Sequence, residues 1–132
     1  MSGSLSWSVH IVSVAGGAAF QPWVPNSNPG DPTKAQVGDI VTWGNDTNDI
    51  HQPWPTVGNT PDGDPVPDAS NPPGSALYFS DPISGGGSSR PQYVVPPTIP
   101  VPPPSGTTLA AGSVIYYCCK NHPTERGQIK IF

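Results

Sequence analysis

Residues 114–131, VIYYCCKNHPTERGQIKI, constrain the chain more than any other stretch. An apolar run of β-branched and aromatic residues ends at Cys119, a tight turn carries His122, and a second strand over residues 128–132 closes the sequence. Only two residues separate the cysteine from the histidine, so one compact turn aims a sulfur and an imidazole at the same point. Glu125 lies three residues further on, and Gly127 lets the backbone bend into the closing strand. Strand parity puts Ile115, Tyr117 and Cys119 on one face and Val114, Tyr116 and Cys118 on the other. If Cys119 points into a site, Cys118 points away from it and is structural or faces the loops.

The rest of the chain supplies more strands and long connections. Residues 7–14, WSVHIVSV, read as the first strand, and residues 40–43, IVTW, as a second one entered through the turn Val37-Gly38-Asp39. Residues 76–79 read as a short further strand. Gly16-Gly17 breaks the first strand, and Phe20 and Trp23 are expected to pack on the core. His10 reads as a strand histidine, at the surface or in a satisfied hydrogen bond, rather than as a metal ligand. The chain holds 20 Pro and 15 Gly, a share that ordinarily signals low complexity. Four Trp and the β-branched runs argue against disorder, so the Pro and Gly are assigned to surface loops. Residues 90–104 carry seven prolines, whose fixed φ and missing N–H favour extended polyproline II over paired strand. The apolar residues between those prolines suggest a loop packed on the domain. There is no internal repeat and no amphipathic helix.

A length of 132 residues bounds the chain to a single domain, 1–132, with a Pro-rich insertion at about 53–104. A net charge of −4 gives no footprint for nucleic acid or an anionic membrane. No apolar run approaches the roughly 20 residues of a membrane span, and no signal peptide is visible. Cys118 and Cys119 are neighbours, so they supply no loop-closing disulfide. Asp62, Asp64 and Asp68 lack the EF-hand spacing and read as a solvated loop. The glycine run in residues 84–89 matches no phosphate-binding pattern. No Ser-His-Asp set and no paired-carboxylate motif is present.

Tyr117, Cys119, His122, Pro123 and Gly127 fall on the pattern Tyr-x-Cys-x-x-His-Pro-x-Met-x-Gly. This resembles the amicyanin/plastocyanin-like ligand loop of the cupredoxins, the blue-copper family, with Glu125 where the axial Met is expected. Val37-Gly38-Asp39, Val41 and Trp43, followed by polar residues and His51, resemble the family segment that carries the first copper histidine. The resemblance covers residues 5–51 and 105–132. It implies an all-β, cupredoxin-like Greek-key β-sandwich with long Pro/Gly-rich loops. It also implies one copper ion cycling between Cu(I) and Cu(II) on His51, Cys119, His122 and Glu125. The function implied is electron transfer to an unidentified redox partner protein, by a monomeric carrier rather than an enzyme, in the periplasm or outside the cell. A thiolate with two imidazoles is the trigonal core of a blue site, whose potential is tuned by a weak axial partner. A carboxylate there is harder, favours Cu(II) and lowers the potential relative to Met. Glu125 turned outward to Arg126 or Lys120 is the competing arrangement, and Gln128 is the second axial candidate. Two other functions fit the same residues: a red-copper-like catalytic or copper-handling protein, and a zinc-binding or interaction module, since zinc accepts Cys, His and Glu.

Overall fold

Two four-stranded sheets enclose one aromatic-rich core in the computed structural model, which describes residues 5–75, 77–99 and 107–132. The strands are β1 (Ser6–Val14), β2 (Gly17–Pro22), β3 (Thr33–Ala35), β4 (Ile40–Asn45), β5 (Pro53–Pro55), β6 (Tyr93–Val94), β7 (Thr98–Ile99), β8 (Thr107–Thr108), β9 (Val114–Cys119) and β10 (His122–Ile131). One sheet runs β2-β1-β4-β6 and the other β3-β10-β9-β5, while β7 and β8 pair separately. The chain passes repeatedly between the two sheets, which makes the fold a Greek-key β-sandwich. β1 lies parallel to β4 and β3 parallel to β10; the remaining pairs are antiparallel.

Period-two alternation sends Val9 and Ile11 of β1, Val41 and Trp43 of β4, Ile115 and Tyr117 of β9, and Ile129 and Ile131 of β10 inward. Trp43 is at the centre, within 5.7 Å (ring centroid to centroid) of Phe79, Tyr93 and Tyr117. Each of these enclosed rings contributes about 1.5–3 kcal/mol by leaving water. The turn before β4 is fixed by Asp39. Its carboxylate accepts from Leu5 N–H, Trp7 Nε1–H and Gln36 N–H, joining the start of β1 to the start of β4.

Four expectations from the sequence need correction. Residues 77–79 form no strand, and Ala76 lies outside the described residues; Tyr78 N–H closes a turn on Ser75 and Asp81 N–H donates to Arg90, away from any ladder. Phe79 is nonetheless a core residue. Trp23 is 58% exposed because it follows the outward parity of β2, where Phe20 and Pro22 point in. Its ring stacks on His10 at 3.8 Å. Part of the Pro-rich segment is paired strand: residues 92–95 contain no proline, so Tyr93–Val94 aligns with Val41 and Ile40, and Val95 N–H donates to Asp39 O. Residues 100–106 lie outside the described residues. Lastly, the closing strand begins at His122, and Gly127 has no positive φ. Glycine is required there for space: a Cβ would lie 2.3 Å from Cζ of Tyr117, whose ring covers that backbone.

Candidate metal centre

β9 delivers Cys119 at its inner end, and β10 returns at once, pairing His122 with Cys119. The next paired residue of β10 is Arg126, opposite Cys118, so Pro123, Thr124 and Glu125 bulge out of the ladder. This bulge turns the Glu125 side chain inward. Its Oε2 accepts a hydrogen bond from Ala18 N–H (3.1 Å) at the start of β2. Gly17 permits that approach: a Cβ there would lie 3.0 Å from Oε2. Glu125 is thus held across the β1–β2 turn and leaves Oε1 facing the site.

His51 arrives from the other sheet, at the end of the loop that follows β4. Asn45, the last residue of β4 and fully enclosed, organises that loop. Its Nδ2 donates to Asp49 O (2.6 Å) and Ile83 O (2.8 Å), and its Oδ1 accepts from Thr47 N–H (2.9 Å) and Thr47 Oγ1 (2.7 Å). His51 then exchanges backbone hydrogen bonds with Ile83 (3.1 and 2.8 Å), which fixes its main chain. The glycine–serine segment has a structural part in this: Gly87 O accepts from Asn45 N–H, and Gly86 N–H donates to Asn45 O. Neither the Asn45 hub nor the Ile83 bridge was visible in the sequence; Asn45, two residues after Trp43, was the only local signal.

The four predicted residues converge. Donor atoms of His51, Cys119, His122 and Glu125 all lie within 4.8 Å of one another, the one such group among the described residues. Cys119 Sγ is 3.5 Å from Nδ1 of His51 and 3.5 Å from Nδ1 of His122. Glu125 Oε1 is 3.2 Å from His51 Nδ1 and 3.6 Å from His122 Nδ1. A metal ion bonded at about 2.0–2.3 Å to nitrogen and sulfur separates its donors by roughly 3.5 Å. Glu125 Oε1 has no hydrogen-bond partner, an expensive arrangement for a carboxylate oxygen that is otherwise enclosed. The donor set, the spacing and the orphaned oxygen all fit a cation at this point. Gln128 belongs to β10 beyond the bulge, opposite Tyr116. His10 is outside the group and pairs with Asp46 at 2.6 Å.

Burial sets the electrostatics. His51 is 2% exposed, Glu125 11% and His122 41%, so the centre meets the surface through His122. Burial lowers the His51 pKa, while the Glu125 carboxylate acts in the opposite direction. Burial outweighs the carboxylate, and the lowered pKa favours the neutral imidazole that a metal ligand must be. The other nitrogen, Nε2, is enclosed without a partner. Burial raises the Cys119 thiol, partly offset by the N–H groups of Gln52, Asn121 and His122. Gln52 N–H lies 3.4 Å from Sγ. Beside Glu125 a cavity of about 250 Å³ reaches His51 and His122 between Gly17, Thr47, Asp49 and Thr124, on the side away from Cys119. Cys118 is buried on the opposite face of β9, as parity requires, and burial pushes its thiol up to about 11.

No protein-family model and no curated protein sequence matches the chain. Among solved structures, it is similar to a purple cupredoxin from Nitrosopumilus maritimus, at 19% identity and a TM-score of 0.57 over 95% of this chain and 98% of the other. It is also similar to a reduced Cu(I) form of a mutant amicyanin, at 15% identity and a TM-score of 0.52 over 100% of this chain and 85% of the other. The chain therefore has the cupredoxin fold.

Proposed function

We propose that the protein binds one copper ion through His51, Cys119, His122 and Glu125 and transfers electrons through it. The observation that carries this reading is the convergence of one thiol, two imidazoles and one unpartnered carboxylate oxygen within 4.8 Å, on a cupredoxin fold. Bound copper would supply a one-electron couple between Cu(I) and Cu(II).

The chain supplies the rest. Cys119 must lose its proton, and the N–H of Gln52 stabilises the thiolate left behind. The backbone of His51 is fixed by its two hydrogen bonds with Ile83, and its enclosed ring would hold one place through the redox cycle. Ala18 N–H holds Oε2, and Glu125 would offer a metal its other oxygen, Oε1. An anionic oxygen favours the higher oxidation state, which places the potential below that of a Met-bearing site. His122 is the exposed ligand and the exit for an electron toward a partner protein. An extracytoplasmic setting is part of the same reading. It is supported by the fold alone; among the described residues no helix is long and apolar enough to cross a membrane.

A second reading is favoured by the cavity of about 250 Å³ beside Glu125, which gives a small molecule access to the ligand cluster for redox chemistry or copper handling. Titration of the metal-free protein with Cu(II), followed by visible absorption and EPR, tests these readings. A strong thiolate-to-copper band with wide hyperfine splitting in the parent, narrowing in Glu125→Ala, supports a carboxylate-bound electron carrier. Turnover of an added small oxidant or reductant by the loaded protein would shift the assignment to the catalytic reading. Absence of the band, with tight zinc binding instead, would sink copper and leave the zinc-binding module.

A further inference from the structure

Residues 53–71 are fastened to β9 and to both ends of the ligand loop. β5 pairs Pro53 with Cys119, Trp54 with Cys118 and Pro55 with Tyr117. Beyond β5 the edge of β9 is completed by a side chain: Asn59 donates from Nδ2 to Val114 O (2.9 Å) and accepts at Oδ1 from Tyr116 N–H (2.8 Å). Next to Cys119, Lys120 donates its backbone N–H to Gln52 O (2.8 Å) and places Nζ 4.7 Å above the Trp54 ring and 2.9 Å from Asp68. Next to Glu125, Arg126 donates from Nη1 to Gly63 O (2.8 Å). The segment is itself tied down, with Trp54 Nε1 donating to Val66 O (2.6 Å) and Val57 N–H to Asp64 O.

Glu125 and Arg126 are adjacent and turn to opposite partners, the carboxylate to Ala18 N–H and the guanidinium to Gly63 O. Pinning the guanidinium outward to Gly63 fixes the peptide plane that aims the carboxylate inward. We infer that Arg126 is a positioning residue: through Gly63, residues 53–71 act as an external brace that holds Glu125 in the metal cluster and keeps the three-residue bulge in one conformation. The inference deepens the copper reading, yet its first arm needs no metal.

Amide hydrogen exchange of the metal-free protein compares the parent with Arg126→Ala and Arg126→Lys. In the alanine variant, the amides of residues 122 and 124–126 should exchange about tenfold faster, because the charge-assisted bond to Gly63 O is lost and the loop opens locally. Protection in β1 and β4 should be unchanged. Lysine can still reach Gly63 O with one donor and should restore most of the protection. Equal exchange in all three proteins would overturn the brace. So would a uniform rise across β1 and β4, which indicates general destabilisation. The second arm is the Cu(II) EPR spectrum: Arg126→Ala should move the hyperfine splitting toward that of Glu125→Ala, and Arg126→Lys should keep it near the parent. Parent-like splitting in Arg126→Ala overturns the link to Glu125. If the parent forms no copper–thiolate band, the copper reading fails while the exchange arm still decides the brace.

Discussion

Replacing Gly127 by alanine tests whether the ligand hairpin is fixed by the Tyr117 ring. The new Cβ would lie 2.3 Å from Cζ, 2.6 Å from Cε2 and 2.6 Å from the hydroxyl oxygen. Ordinary contact begins near 3.4 Å, so the ring must withdraw by about 1 Å. It has nowhere to go. Tyr117 packs edge-on against Phe20 (4.8 Å) and Trp43 (5.4 Å), and its hydroxyl accepts from Trp43 Nε1 at 3.0 Å. Overpacking costs about 1–3 kcal/mol, and loss of a hydrogen bond between two enclosed groups adds about 1–2. Gly127→Ala should therefore lose about 2–5 kcal/mol, a large part of a domain's stability. Urea unfolding of the metal-free protein, read by Trp fluorescence, gives the value. Tyr117→Leu removes the obstructing ring, so alanine at 127 should cost much less in that background. A change under about 0.5 kcal/mol in the parent background would refute the argument. An equal penalty with Leu at 117 would refute it as well, since the cost would then lie in the backbone.

Asp39 accepts three hydrogen bonds, and despite its burial these hold its carboxyl below the ordinary value of 3.8. A depressed folded pKa contributes stability above about pH 4 that disappears as pH falls through the folded value. Asp39→Ala should cost about 2–4 kcal/mol at pH 7, and the gap from the parent should narrow below pH 4 in acid-unfolding curves; a constant gap would contradict this origin. In the metal-free folded protein, Cys118 at about 11 against an ordinary 9.0 leaves about a hundredfold less thiolate, so iodoacetamide at pH 8 should modify it far more slowly than in urea. Equal rates in the two conditions would show that β9 does not enclose that thiol.

The parts of the fold that were legible are those written in short periods. The β-branched and apolar runs at 7–14, 40–43 and 114–119 marked three strands, and alternation assigned the faces of the last. It also separated Cys119 from Cys118 correctly. The same rule, carried past Phe20 and Pro22, would have turned Trp23 outward; assigning both aromatics to the core ignored the parity. Residues 77–79 misled for another reason. Phe79, of high β-propensity, is drawn into the core by Trp43 and Tyr93, and burial alone does not supply a strand partner.

The Cys119–His122 pair was legible as a spacing, and His51 and Glu125 only through the resemblance to the cupredoxin ligand segments; the means of convergence was not legible. Cys119 and His122 meet because a hairpin makes them neighbours. His51 joins them only through Asn45, Thr47 and Ile83, contacts that span up to 38 positions of chain. Glu125 depends on a bulge whose Oε2 partner, Ala18, is 107 positions away. A loop of this kind has no intrinsic reason to turn a carboxylate inward, where desolvation opposes it. Two features oppose that penalty: the Ala18 N–H on one oxygen, and the Arg126–Gly63 anchor that denies the bulge an outward alternative. In the metal-free state the second oxygen is still unpartnered, so Glu125 should be the least settled of the four side chains until a cation arrives. Glu125→Gln, which removes the charge at nearly constant volume, should stabilise the metal-free protein while weakening its hold on Cu(II).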